Sequence, residues 1–131
     1  VKGGTILLPS NMALGATRSS TLSYVAGQAL AVDLRLMGFN MNLAPVLDVN
    51  SNPNNPVIGI RSYGEKADLV ANLGSWYVRG QQEMGVSAVA KHFPGHGDTQ
   101  SDSHFSMPSI NADRARLSQV ELKPFKRTLT K

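Results

Sequence analysis

The 131-residue sequence contains no cysteine, which excludes disulfide bonds and thiolate metal sites within it. Aromatic residues are scarce at 6%. No apolar run approaches the roughly 20 residues that a membrane-spanning helix needs, so we expect no membrane span, and no signal peptide is apparent. The 41% hydrophobic content is typical of a folded domain with one core. These features leave the cellular compartment open.

The formal net charge of +4 raises the question of nucleic-acid binding. Most basic residues are dispersed through different predicted elements, and the only dense group lies near the end of the sequence, at Lys123, Lys126, Arg127 and Lys131. Such a group is typical of a solvated helix face, and the aromatic residues that would stack on bases are missing. We therefore expect no nucleic-acid partner.

Helical and strand-like patterns alternate along the chain. Ser19 or Ser20 can cap a helix that Gly38 is placed to end, and a strand follows at residues 40–44. A second apolar stripe of helical spacing ends at Gly85, and a short buried strand follows at residues 86–90. Each strand is followed by a long polar loop. This order predicts βα units with parallel, adjacent strands.

The predicted fold class is α/β, and the spacing of the units favours a fragment of a (β/α)8 barrel that contains two to three βα units. Parallel sheets of this kind are covered on both faces. Such a barrel takes about 250 residues, so we expect residues 1–131 to form one partial domain without an internal boundary. Neither Val1 nor Lys131 resembles a natural terminus. A piece of this kind has unpaired strand edges, through which we expect it to self-associate.

Titratable residues are concentrated in the segment "AVAKHFPGHGDTQSDSHFSMPSI", residues 88–110, where prolines and glycines exclude a regular helix. One interpretation is a metal site, because the segment holds the ligand types His92, His96, Asp98, Asp102 and His104. Another is a loop whose histidines are only hydrogen-bonded. A third is an acid/base pair. Residues two apart in an extended loop point the same way, so the Asp102 carboxylate can orient the imidazole of His104 and stabilise its protonated form.

The motif "KHFPGHGDTQSDSH" is preceded by "NMNLAPVLDVNSNPNNPVIGIRSYG" and followed by "RLSQVELKPF". Together with "GGTILLPSNMALGAT" near the start, these segments resemble the catalytic barrel of bacterial β-N-acetylglucosaminidases in glycoside hydrolase family 3. The resemblance covers nearly the whole chain, with the motifs in the family's order. The pairing of K-H-F-P-G-H-G with D-S-H is similar to the N-acetylglucosaminidase branch rather than the β-glucosidase branch.

The resemblance implies site residues at matching positions. Lys91 and His92 match a pair that holds sugar hydroxyls, and Arg61 matches an arginine that contacts the same sugar. His104 matches the acid/base histidine, and Asp102 matches its dyad partner. Arg61 could instead pin its own loop. For two further residues we expect structural roles: Asp48 ordering the junction of strand and loop, and His96 organising its own loop.

The resemblance also implies a retaining hydrolase that releases β-linked N-acetylglucosamine from peptidoglycan fragments or chitin-like oligosaccharides, without metal or cofactor. The Asp nucleophile and an earlier substrate-binding Asp of the family match no residue here, so we expect the isolated chain to be inactive. Neither Asp48 nor Asp98 matches the nucleophile. Phosphorolysis, β-glucosidase activity and a non-catalytic carbohydrate-binding or scaffold role remain alternatives. A bacterial enzyme of this family could be cytoplasmic, or in the cell envelope or secreted.

Overall fold

The structure is a computed structural model that describes residues 6–99, 109–110 and 112–130. Its elements in chain order are helices α1 (Asn11–Thr17) and α2 (Ser20–Leu36), strand β1 (Met41–Asn42), a 3-10 turn (Gly59–Arg61), helix α3 (Ala67–Glu83), strand β2 (Ser87–Ala88), and helices α4 (Arg114–Gln119) and α5 (Lys123–Leu129). No helix in this described part is long and apolar enough to span a bilayer.

Three helix boundaries follow the sequence signals. The Ser19 hydroxyl accepts a hydrogen bond from the N–H of Leu22 at 3.2 Å and so caps α2. Gly38 and Gly85 follow the ends of α2 and α3 with φ angles of 85° and 76°, which other residues rarely adopt. The predicted cap and both predicted stop positions are therefore confirmed.

The two strands are parallel and adjacent, as predicted, with Met41 opposite Ser87 and Asn42 opposite Ala88. They are shorter than expected. A further parallel bridge joins Val46 to Lys91, which extends the pairing to a first strand segment (residues 41–46) and a second strand segment (residues 87–91). Between the paired residues, three residues of the first segment, 43–45, lie opposite two of the second, 89–90. This extra residue breaks the regular ladder, and Pro45 has no N–H to contribute to it.

One face of this strand pair is covered by helices. The side-chain amide of Asn42 donates to the side-chain oxygen of the fully buried Gln81 of α3 at 2.7 Å. The alternate residues Met41 and Leu43 are 55% and 62% exposed. The expectation that both faces are covered is thus not met within the described residues, because the helices they contain pack on one side only.

Helices α2 and α3 approach each other closely through two glycines. A Cβ atom at Gly27 would overlap the carbonyl oxygen of Tyr77, and a Cβ atom at Gly80 would overlap that of Tyr24. Both helices contribute to the main core together with α1, α5 and the segment after β1; it consists of Leu14, Ala26, Leu47, Val49, Tyr63, Val70, Leu73, Tyr77 and Phe125. The core lies beside the ends of both strands and supports the polar loops that follow them.

We predict that Gly27→Ala destabilises the protein that carries this chain. Alanine favours a helix by about 1 kcal/mol over glycine, but overpacking against the Tyr77 backbone should cost more, for a net loss of about 1–2 kcal/mol. Urea unfolding measures the change. Thr21→Ala at an exposed position of the same helix is the control and should stay within about 0.5 kcal/mol of the parent. Equal stabilities for Gly27→Ala and the parent would contradict the close helix contact.

Candidate functional site

Asp48 joins the two polar loops that follow the strands, here called the first loop (residues 48–64) and the second loop (residues 91–99). Its side chain is fully buried. The carboxylate accepts hydrogen bonds from the backbone N–H of His96 at 2.7 Å and from that of His92 at 3.3 and 3.4 Å. Asp48 therefore holds the second loop against the first by direct contacts with two of its residues.

The ring of His92 lies between Asp48 and Arg61. Its Nδ1 is 2.6 Å from Oδ2 of Asp48, and its Nε2 is 3.3 Å from Nη2 of Arg61. A guanidinium can only donate, so Nε2 accepts and the proton of the neutral ring sits on Nδ1. The sequence-predicted residues Arg61 and His92 thus meet in one hydrogen-bonded chain that begins at the buried carboxylate.

Arg61 also contacts its own loop. Its Nη1 donates to the carbonyl oxygen of Val57 at 3.2 Å. The two interpretations of Arg61, as a residue of the site and as a residue that pins its loop, are therefore compatible. The side chain is anchored at one nitrogen and reaches the second loop with another.

Lys91 lies at the end of the second strand segment. Its N–H donates to the carbonyl oxygen of Pro45 and its own carbonyl oxygen accepts from Leu47. A cavity of about 320 Å³ opens beside it. The polar residues lining this cavity are Ser10, Asn11, Arg61 and Lys91, and its other walls include Tyr77. Burial raises the pKa of Tyr77 to about 12.

His96 has a different environment from His92. Its Nδ1 lies 2.7 Å from the hydroxyl of Thr99, and its carbonyl oxygen accepts from the amide of Asn55 at 2.8 Å. Both partners are themselves buried. These contacts agree with the role expected for His96 as an organiser of its loop. Within the described residues, no group of three His, Asp or Glu side chains could hold a metal ion.

Asp98 anchors the second loop further along. Its Oδ1 accepts from the hydroxyl of Ser51 at 2.9 Å, and its Oδ2 is 2.7 Å from a guanidinium nitrogen of Arg116 in α4. The other two predicted residues, Asp102 and His104, lie outside the described residues.

Asn11 was missed by the sequence analysis. Its side-chain amide donates to the carbonyl oxygen of Arg61 at 2.7 Å, across 50 positions of the chain. A usable signal existed: Ser10 and Asn11 are polar residues that follow the apolar stretch "ILLP", just as polar residues follow the two predicted strands.

We predict that Asp48→Asn lowers the stability of the protein by about 3 kcal/mol or more, because the amide replaces one acceptor with a donor that faces N–H groups. The control is Asp68→Asn, an exposed carboxylate paired with Lys123, which should cost at most about 1 kcal/mol. Chemical denaturation provides both values. If the two variants lost similar stability, Asp48 would not be the link between the loops.

Comparison with known proteins gives consistent matches. The family description "Glycosyl hydrolase family 3 N terminal domain" matches residues 1–131. A β-hexosaminidase A from Pseudoalteromonas piscicida is 43% identical over 118 residues, which cover 88% of this chain and 20% of that protein. Each match below also spans much less than two thirds of its relative.

Two solved structures are similar over nearly the whole chain. One is a glycoside hydrolase family 3 β-N-acetylglucosaminidase from Paenibacillus sp. str. FPU-7, with a TM-score of 0.97 and 51% identity over 99% of this chain and 25% of that one. The other is NagZ from Neisseria gonorrhoeae in complex with N-trifluoroacetyl-D-glucosamine, with a TM-score of 0.89 and 30% identity over 97% of this chain and 39% of that one. Because the family description covers every residue, the chain belongs to glycosyl hydrolase family 3 as part of its N-terminal domain.

Proposed function

We propose that the chain is part of a retaining glycosidase that releases β-linked N-acetylglucosamine. The observation that carries this proposal is the meeting of Arg61 and His92, which follow two adjacent parallel strands, next to the cavity that Arg61 and Lys91 line. Family membership and relatives named β-hexosaminidase and β-N-acetylglucosaminidase support the same activity.

We also propose that the two βα units form part of a (β/α)8 barrel. In such barrels the functional residues follow the carboxyl ends of the strands, as Arg61, Lys91 and His92 do here. The exposed Met41 and Leu43 would then face the barrel interior, which the strands of a complete barrel would enclose. Without those strands, we expect the isolated chain to self-associate.

Arg61 and Lys91 are suited to a neutral sugar. Both are donors only, so they can bind hydroxyl oxygens or the carbonyl oxygen of an acetamido group. His92 has its Nδ1 proton committed to Asp48, which fixes the orientation of its ring. We assign these three residues to the sugar on the non-reducing side of the cleaved bond.

The proposed reaction has two steps. An Asp outside this chain attacks the anomeric carbon while protonated His104 gives its proton to the leaving oxygen. Asp102 orients the imidazole of His104 and stabilises its protonated form. The glycosidic bond breaks and a glycosyl ester forms on the Asp. Neutral His104 then takes a proton from water, whose oxygen attacks the anomeric carbon; the ester bond to the Asp breaks, which regenerates its carboxylate and releases the sugar with retained configuration. Peptidoglycan fragments and chitin-like oligosaccharides are the substrate classes, and no cofactor is needed.

The first test concerns the sugar contacts in the complete enzyme. Lys91→Ala should lower kcat/KM for an aryl β-N-acetylglucosaminide by about 10- to 100-fold, the range for one lost hydrogen bond from a charged donor. Steady-state kinetics provides the measurement. Lys126 is an exposed lysine of α5, and Lys126→Ala is the control that separates the loss of a sugar contact from a change of net charge. Unaltered kinetics for Lys91→Ala would remove it from the sugar site.

The second test concerns the acid/base pair. His104→Ala should cost roughly 10²–10⁴-fold with a poor leaving group that needs protonation, and much less in glycosylation with an activated aryl leaving group. Asp102→Ala should give a smaller loss and an altered pH profile. Azide should restore turnover of the deglycosylation step in His104→Ala, since an anionic nucleophile needs no general base.

A leaving-group series on the parent enzyme and both variants, with and without azide, provides the measurement. The parent should be insensitive to azide. A loss of equal size for good and poor leaving groups, without rescue, would show that His104 is not the acid/base.

A further inference from the structure

Helix α1 is fixed against the segment that carries Arg61. The Ser10 hydroxyl caps α1 by accepting from the N–H of Ala13 at 3.2 Å. A Cβ atom at Gly15 would overlap the carbonyl oxygen of Tyr63, so the helix backbone lies directly on the chain two residues after Arg61. Asn11, the first residue of α1, is therefore presented from a firmly placed helix.

The side chain of Asn11 reaches the backbone of Arg61 itself. Its Nδ2 donates to the Arg61 carbonyl oxygen at 2.7 Å, whereas the Arg61 N–H bonds locally to the carbonyl oxygen of Ile58. In the described part of the chain, the Asn11 amide is the only group from outside the first loop that hydrogen-bonds the Arg61 backbone. The guanidinium then extends from this held backbone to Nε2 of His92.

Asn11 and Arg61 also share a surface. Together with Ser10 and Lys91 they supply the polar lining of the cavity of about 320 Å³. A small displacement of the Arg61 backbone would move its guanidinium relative to both Lys91 and the His92 ring. The backbone that carries this cationic side chain thus accepts a hydrogen bond from a residue 50 positions earlier in the chain.

We infer that Asn11 is a positioning residue that acts through Arg61 to set the strength of sugar binding. The inference rests on the proposed function, in which Arg61 contacts the sugar. It assigns Asn11 no part in proton transfer or bond cleavage, so its effect belongs to binding rather than to the chemical step.

The test uses the complete enzyme and an aryl β-N-acetylglucosaminide, with N-acetylglucosamine as a competitive inhibitor. Asn11→Ala should raise KM and the inhibition constant by about two- to tenfold, the range for one neutral hydrogen bond, with kcat nearly unchanged. Asn11→Asp removes the donor but places an acid in the first turn of α1, where it is compatible with the helix dipole. Its carboxylate would also face the Arg61 carbonyl oxygen, so binding should weaken at least as much as in Asn11→Ala, whereas the exposure of this contact should keep the loss of melting temperature small.

A double-mutant cycle with Arg61→Ala separates positioning from a direct or general effect. If Asn11 acts through Arg61, Asn11→Ala should add little to the loss already caused by Arg61→Ala. Asn72→Ala removes another amide, one that accepts from Arg127 of α5, and should leave KM and the inhibition constant unchanged.

The outcomes distinguish the inference from the proposed function. If Arg61→Ala weakens binding while Asn11→Ala and Asn11→Asp bind normally, the inference is wrong and the sugar contact of Arg61 stands. The same loss from Asn11→Ala with and without Arg61 would also overturn it. Normal binding by Arg61→Ala would refute the proposed sugar contact and the inference with it.

Discussion

The arrangement of the site depends on one buried carboxylate. Asp48 has no exposed side-chain surface, and a buried charge is tolerated only when donors surround it. Its donors come from His92 and His96, both in the second loop. The first loop folds back on the same residue, because the Ser62 hydroxyl donates to the Asp48 carbonyl oxygen at 2.6 Å. Separating the loops would therefore remove these donors from the Asp48 carboxylate, which disfavours the separated arrangement.

This constraint extends outward to the surface through the imidazole of His92. Since the Nδ1 proton is committed to Asp48, Nε2 is left as an acceptor for a hydrogen bond from the Arg61 guanidinium. Arg61 is in turn held by Val57 in its own loop and by Asn11 in α1. Three separate parts of the sequence thus determine where one cationic side chain lies. The chain of contacts therefore runs from the buried Asp48 carboxylate through the His92 ring to the Arg61 guanidinium at the surface.

The sequence predicted those features that have a regular pattern. Helical spacing, the glycine stops and the short apolar runs predicted two parallel, adjacent strands, and strand ends predicted where polar residues would gather. The resemblance to the family supplied Arg61, Lys91 and His92. The contact of Asn11 with Arg61 was not predicted, because a single amide bonded to a distant carbonyl has no periodic signature. The strand lengths also differed, because the extra residue at 43–45 depends on the pairing register, which the sequence pattern does not specify.

The same contacts explain why two nearby carboxylates are poor candidates for the nucleophile of a retaining glycosidase. A nucleophile must bring a free oxygen to the anomeric carbon. The oxygens of Asp48 are enclosed and receive donors from His92 and His96, whereas those of Asp98 receive the Ser51 hydroxyl and the Arg116 guanidinium. Withdrawing either carboxylate from these partners would remove contacts that hold the second loop. Both carboxylates therefore serve to position the loops, which supports the proposal that the attacking Asp comes from outside this chain.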